Sequence, residues 1–170
     1  IGVLLAAVAL SAAGGAGASE ALAGMAGMAA TPQAGLGQRY AKQKVVYHVN
    51  YYDAKSQTAA LRNIQNHINA VGAENLDLKV VLHGNGLALV VYPDSLAQLP
   101  KFKHGNANDD MTAKIDGLKN QGVAIQICAN TIKGRGVEVA RDLYDVDKAD
   151  IVPSGVAQLA HLQAQGYTYI

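Results

Sequence analysis

The sequence predicts an α/β fold with a mainly parallel sheet. Short β-rich runs alternate with stretches of helical periodicity. Several of those stretches end on a glycine. Half of the 170 residues are apolar, enough to give one ordinary domain a core.

Lys44–Val49 (KVVYHV) is the first strand, followed by a polar turn over Asn50–Lys55. Ser56–Val71 fits a helix: Ser56 can cap it, Ala60, Ile64, Ile68 and Val71 recur at spacings of three and four, and Gly72 ends it. Leu76–Leu82 (LDLKVVL) is the second strand, and His83-Gly84-Asn85-Gly86 turns tightly after it. Leu87–Tyr92 is an apolar run that reads equally as a strand or a short buried helix, stopped by Pro93. Residues 94–107 read as a polar loop. Asn108–Gln121 reads as a helix with Asn108 as cap, Asp109 and Asp110 in the first turn, and Gly122 at the end. Val123–Cys128 is a buried strand. Gly134 and Gly136 mark a turn before a short helix at Val137–Tyr144. Ile151–Val152 is a last short strand, and Ser154–Gln165 a last helix.

Composition excludes several functions. Formal charge is +1, aromatics are 5 % and Trp is absent, so no basic, aromatic-lined nucleic-acid surface is expected. The single cysteine excludes an internal disulfide, a CxxC redox pair and a cysteine-rich zinc site. No phosphate-binding Walker pattern or GxSxG nucleophile elbow occurs. The histidines form no i,i+4 pair and no carboxylate stands at fixed spacing to them, so no metal is expected. His67 and His161 fall on helices as solvated or partner-facing residues, and His104 falls in the polar loop.

Residues 1–30 differ from the rest. Among the first 38 residues only Glu20 is charged, and Ile1–Leu10 is continuously apolar. Ala16-Gly17-Ala18 before Ser19 has the A-x-A form of a signal-peptidase site. An export signal is one reading. A retained membrane anchor is the other, because the apolar stretch reaches roughly 20–30 residues, the length that spans a bilayer. Residues 31–43, with Pro32, Gly35 and Gly37, read as a linker to a domain at 44–170. Both readings of 1–30 place the domain in the periplasm or otherwise outside the cytoplasm.

Parallel α/β sheets bind ligands at the carboxyl ends of their strands. That rule points to His48–Tyr52, His83–Gly86 and Cys128–Thr131. A cysteine at a strand end meets backbone N–H groups of the following turn, which favour the thiolate. Asn130 and Thr131 can orient a ligand or cap the next helix. His83-Gly84-Asn85-Gly86 can bring N–H groups to an anion, and His48 and His83 can act as acid or base beside the thiol. The thiol and the glycine turn each also have a plain structural reading, as a buried thiol and an ordinary turn, and the two histidines could alternatively be metal ligands, which their spacing does not support.

The stretches VVYHVN, LRNIQNHINAVG, LDLKVVLHGNG, GVAIQICANTIKGRG and IVPSGVAQLAHLQAQGYTYI together resemble the DsrE/DsrF-like family. They are most similar to its small branch with a C-x-N-T motif and a Q-G-Y-x-Y-I tail, here Cys128–Thr131 and Gln165–Ile170. The resemblance covers about 44–170. It implies a flavodoxin-like three-layer α/β/α sandwich, assembly as a trimer or hexamer, and a cysteine carrying sulfur as a persulfide between proteins. Cys128 is the matching position. An exported member departs from the cytoplasmic relays of that family. Taken together, the residues and the resemblance lead to an exported sulfur-handling protein with Cys128 as the reacting residue. Its pocket would comprise His48, His83, Gly84, Asn85, Gly86, Asn130 and Thr131. No cofactor or metal enters this reading. Two alternatives stay open: a non-catalytic accessory subunit of a membrane-bound complex, and a small-ligand-binding trimer. Whether the chain is an enzyme stays open with them.

Overall fold

A computed structural model describes residues 40–170. The segment at 1–30, and the linker up to residue 39, lie outside the described residues. Among the described residues no helix is long and apolar enough to cross a membrane.

Five strands form one sheet: β1 (Gln43–Val49), β2 (Leu76–Leu82), β3 (Ala124–Cys128), β4 (Ile151–Val152) and β5 (Thr168–Tyr169). Their order is β4-β3-β2-β1-β5, and every pairing is parallel. The helices are α1 (Ala54–Val71), α2 (Asp109–Lys119), α3 (Ala129–Arg135), α4 (Val139–Asp142) and α5 (Gly155–Ala164). The three middle strands carry apolar side chains on both faces, as a covered parallel sheet requires.

The two faces are unequal. On one, Val49, Val80, Leu82, Ile125 and Ile127 pack with Leu61, Ile64 and Ile68 of α1 and with Met111, Ile115 and Leu118 of α2 in the main core. Ile132 of α3 packs on the same side. The opposite face has a small cluster, in which Val46 and Val81 meet Leu159 and Leu162 of α5, and Tyr167. Handedness explains the split. From β1 to β4 the chain steps across the sheet in one direction, so right-handed crossovers put α1, α2 and α3 on one face. The return from β4 to β5 runs the other way and puts α5 on the other face. Neighbouring strands β3 and β4 therefore send their following helices to opposite sides, the switch point at whose carboxyl ends parallel sheets commonly place their ligands.

Several local expectations are corrected. The first helix starts at Ala54 and is capped by Asp53, whose carboxylate accepts the Ser56 amide at 2.7 Å. Ala54 and Lys55 are exposed, so no apolar signal marked that first turn. Leu87–Tyr92 is neither strand nor α-helix: Gly84–Leu89 is a 3-10 helix, and Val91 makes a lone antiparallel bridge to Leu143. The 94–107 stretch includes a second 3-10 helix at Pro93–Ala97 and buries Leu99, Phe102, Asn106 and Ala107. Gly134 is not a turn residue. The chain enters α3 directly after Cys128 and ends it at Gly136, in left-handed conformation (φ 71°). The following helix is one turn, Val139–Asp142. His67 is half-buried and hydrogen-bonded, Nδ1 to the Tyr47 hydroxyl (3.1 Å) and Nε2 to Gln43 Oε1 (2.8 Å). The tail forms edge strand β5 against Val45 and Val46, held further by the His48 amide donating to the Ile170 carbonyl.

Candidate functional site at the carboxyl end of the sheet

Register places the chemistry on one face. His48 pairs with Val81, and Val81 with Gln126. Successive strand residues alternate faces, so His83 and Cys128, each two residues further on, share the face of His48. This is the face that α5 covers only in part.

Cys128 ends β3, opposite Val152 of β4 in register, and is 1 % exposed. Burial pushes its thiol up. The Thr131 hydroxyl and the backbone N–H groups of Gly155, Thr131 and Asn130 point at the sulfur and outweigh burial, leaving the thiol below its ordinary range. Those amides open two helices, α3 and α5, whose starts meet at the sulfur because β3 and β4 send their helices to opposite faces. Aligned peptide dipoles and free amides at helix starts stabilise negative charge.

Thr131 is buried, and its Oγ1 accepts the Gly84 amide at 2.9 Å. That bond leaves the hydroxyl proton for the sulfur. Gly84 takes φ of 57°, which suits glycine, and so turns its N–H back towards Thr131. The His-Gly-Asn-Gly turn thus reaches the thiol through Thr131.

His48 and His83 lie side by side, ring centroids 5.8 Å apart. His48 Nδ1 is 2.9 Å from the Tyr169 hydroxyl. His48 Nε2 and His83 Nδ1 are buried nitrogens with no hydrogen-bond partner among the described residues. Burial, and secondarily the neighbouring His83, hold His48 below its ordinary pKa. A neutral His48 imidazole in this setting can accept a proton from a group entering beside it.

The other expected pocket residues divide. Asn130 is exposed and offers the sulfur its amide. Asn85 is exposed and turned to Arg135, whose Nη2 donates to Oδ1 at 2.6 Å. Gly86 is buried against the end of β1, where a Cβ would lie 1.8 Å from the Val49 carbonyl oxygen. Its missing side chain is a packing requirement. Cys128 does not line any of four well-formed cavities among the described residues. No three His, Cys, Asp or Glu side chains among the described residues gather to hold a metal.

Gly155 escaped the sequence reading. A Cβ there would stand 3.0 Å from His83 Cβ and 3.2 Å from Cys128 Cβ, so only glycine lets α5 start this close. The signal available was Ser154-Gly155 directly after the last strand, at the carboxyl end the binding rule singles out.

Comparison with known proteins gives three findings. Residues 43–170 match the model of the DsrE/DsrF-like family. No curated protein matches the chain. Among solved structures, the fold is similar to a protein of unknown function, MTH1491 from Methanobacterium thermoautotrophicum, with TM-score 0.59 and 23 % identity over 75 % of this chain and 97 % of that one. The YchN protein of E. coli is a further match at TM-score 0.49 and 16 % identity, over 76 % of this chain and 97 % of that one.

Proposed function

The chain belongs to the DsrE/DsrF-like family, and on that premise we propose that it handles sulfur, with Cys128 carrying sulfane sulfur as a persulfide. The Cys128 thiolate attacks the outer sulfur of a donor persulfide or polysulfide. A new S–S bond forms, the donor S–S bond breaks, and the donor leaves as a thiolate. An acceptor thiolate then attacks the outer sulfur on Cys128, and the Cys128 thiolate departs. The two steps balance without an external oxidant or reductant.

The observation that carries this reading is the set of donors on the sulfur: the amides of Asn130, Thr131 and Gly155 and the Thr131 hydroxyl. They favour the thiolate that attacks, and the same groups would hold the terminal charge of a persulfide. His83 and His48 stand where a proton from an incoming thiol can be taken. The apolar segment 1–30 supports an exported carrier, and the family resemblance supports a trimer or hexamer working between protein donors and acceptors. N-terminal sequencing of the mature protein and sedimentation analysis test those two extensions.

One observation favours a second reading. Cys128 is 1 % exposed, which suits an inert thiol in a non-catalytic accessory subunit. Mass spectrometry after treatment with polysulfide or thiosulfate separates the two. The carrier gains the mass of one sulfur atom on the Cys128 peptide, reversed by added thiol. If no sulfur adds while the native thiol is alkylated, the carrier reading fails. If Cys128 reacts with neither reagent until the protein unfolds, the accessory reading stands in its place.

A further inference from the structure

At the same carboxyl end, on the far side of the His-Gly-Asn-Gly turn from Cys128, lies a pocket of about 190 Å³. Lys101, Lys103 and Arg135 line it together with Asn85 and Phe102. Its remaining wall is Tyr52 stacked on His104, centroids 4.9 Å apart and planes 5° from parallel. No carboxylate lines it.

The cations here are held but not neutralised. Arg135 lies over the Phe102 ring at 4.6 Å and donates to Asn85 Oδ1 (2.6 Å) and the Lys101 carbonyl (3.2 Å). Lys101 donates to the Gly134 carbonyl at 2.6 Å. All these acceptors are uncharged. The salt bridges among the described residues lie elsewhere, at Lys79, Lys114, Lys119 and Arg141. Burial alone lowers the Arg135 pKa, the mark of a partly desolvated guanidinium without a counter-charge. The nearby carboxylate that feels His104 is Asp53, outside the lining and engaged with the Ser56 amide. Two of the Arg135 donors are spent on neutral oxygens and the rest of its fork is open, a geometry suited to an oxyanion.

We propose that this pocket binds a small oxyanion, of the class of sulfate, thiosulfate or inorganic phosphate, through Arg135 with Lys101 and Lys103. The size agrees: drug-sized ligands occupy about 300–1,000 Å³, and this cavity takes a tetrahedral anion with a water or two. The site stands apart from the sulfur reading, since Cys128 does not line it. It adjoins that site, because α3 runs from the thiol to Arg135, and Asn85 follows the Gly84 whose amide holds Thr131.

The test is calorimetric titration with sulfate, thiosulfate and phosphate at constant ionic strength, with chloride as the reference. It is paired with amide NMR shifts in the full chain. Saturable binding at about millimolar affinity or tighter is expected. Arg135→Gln should weaken it by about tenfold or more. Lys103→Gln, at an exposed side chain with no bond to lose, should weaken it by about two- to fivefold. Lys148→Gln, at an exposed lysine before β4 and outside the lining, should leave it unchanged. Cys128→Ala should bind as the wild type does. Thiosulfate binding without sulfate or phosphate binding, or loss of binding in Cys128→Ala, would place the anion at the thiol instead and overturn the assignment. So would equal affinity in the wild type and Lys103→Gln, or amide shifts centred away from 84–86, 101–104 and 135.

Discussion

Gly155→Ala tests the site most directly, because it adds one methyl group at the point where α5, His83 and Cys128 meet. The new Cβ would lie 3.0 Å from His83 Cβ and 3.2 Å from Cys128 Cβ, where carbon atoms prefer about 3.5–4.0 Å. Neither neighbour can swing away, since both are Cβ atoms fixed to backbone, one at the end of β3 and one just after β2. The start of α5 must therefore withdraw by about 0.5 Å. Overpacking of this kind costs about 1–3 kcal/mol. Replacing glycine in a helix returns at most about 1 kcal/mol, less at a first position. The net loss is about 1–2 kcal/mol, and for a domain of this size each kcal/mol moves Tm by roughly 3–5 °C. The retreat also lengthens the Gly155 amide bond to the sulfur, so the thiol pKa moves up towards its ordinary value. Thermal unfolding and thiolate ultraviolet absorbance against pH measure the two effects. A variant melting at or above the wild type, with its thiolate titration unmoved, would mean that Gly155 is not glycine to let a helix start approach the thiol.

Three further outcomes follow from the same geometry. Thr131→Val removes a hydroxyl donor from the sulfur and leaves the Gly84 amide unpaired, so the thiol pKa should rise and stability fall by about 1–3 kcal/mol; Thr131→Ser should restore most of both in the same assays. Gly86→Ala drives a Cβ into the Val49 carbonyl, 1.8 Å away, and should cost about 3 kcal/mol or more in urea unfolding, with a destabilisation under about 1 kcal/mol counting against this close approach. Acid should destabilise the domain in two steps. The pKa of His48 is depressed by burial and by His83, so its contribution is full above the ordinary histidine range and lost as pH falls through the folded value. Asp142, held low first by the Arg141 hydrogen bonds against the cost of burial, contributes above the ordinary carboxylate range and is lost at lower pH. His48→Gln should shrink the first step, leaving the part due to His67, whose pKa burial also lowers, and spare the second.

The sheet was legible in the sequence because its middle strands carry short β-rich runs of apolar residues. Val80, Val81 and Leu82 are all essentially inaccessible, and only a strand covered on both faces supports that pattern. Asn108 was legible as a cap, and its Oδ1 does accept the Met111 amide at 3.0 Å, because capping is local chemistry. The strand-end rule likewise picked out His48, His83 and Cys128, and alternation puts them on one face. What was not legible depended on partners distant in sequence. The 84–107 stretch is shaped by packing and by the Asn106 side chain, which donates to the Tyr52 carbonyl and to Gln57 Oε1. No periodicity announces such contacts. Strand β5 has two residues and a partner more than a hundred positions away.

Cys128 shows the same division. The sequence alone showed that the chain has one thiol, that the thiol ends a buried strand, and that polar residues follow it; the turn expected there is the start of α3. What surrounds the sulfur was set by long-range assembly. The return of α5 across the other face brings Gly155 to it, and the Gly84 amide fixes Thr131. Both contacts follow from strand order and crossover handedness, which arise when the sheet assembles and are written in no single segment of the chain.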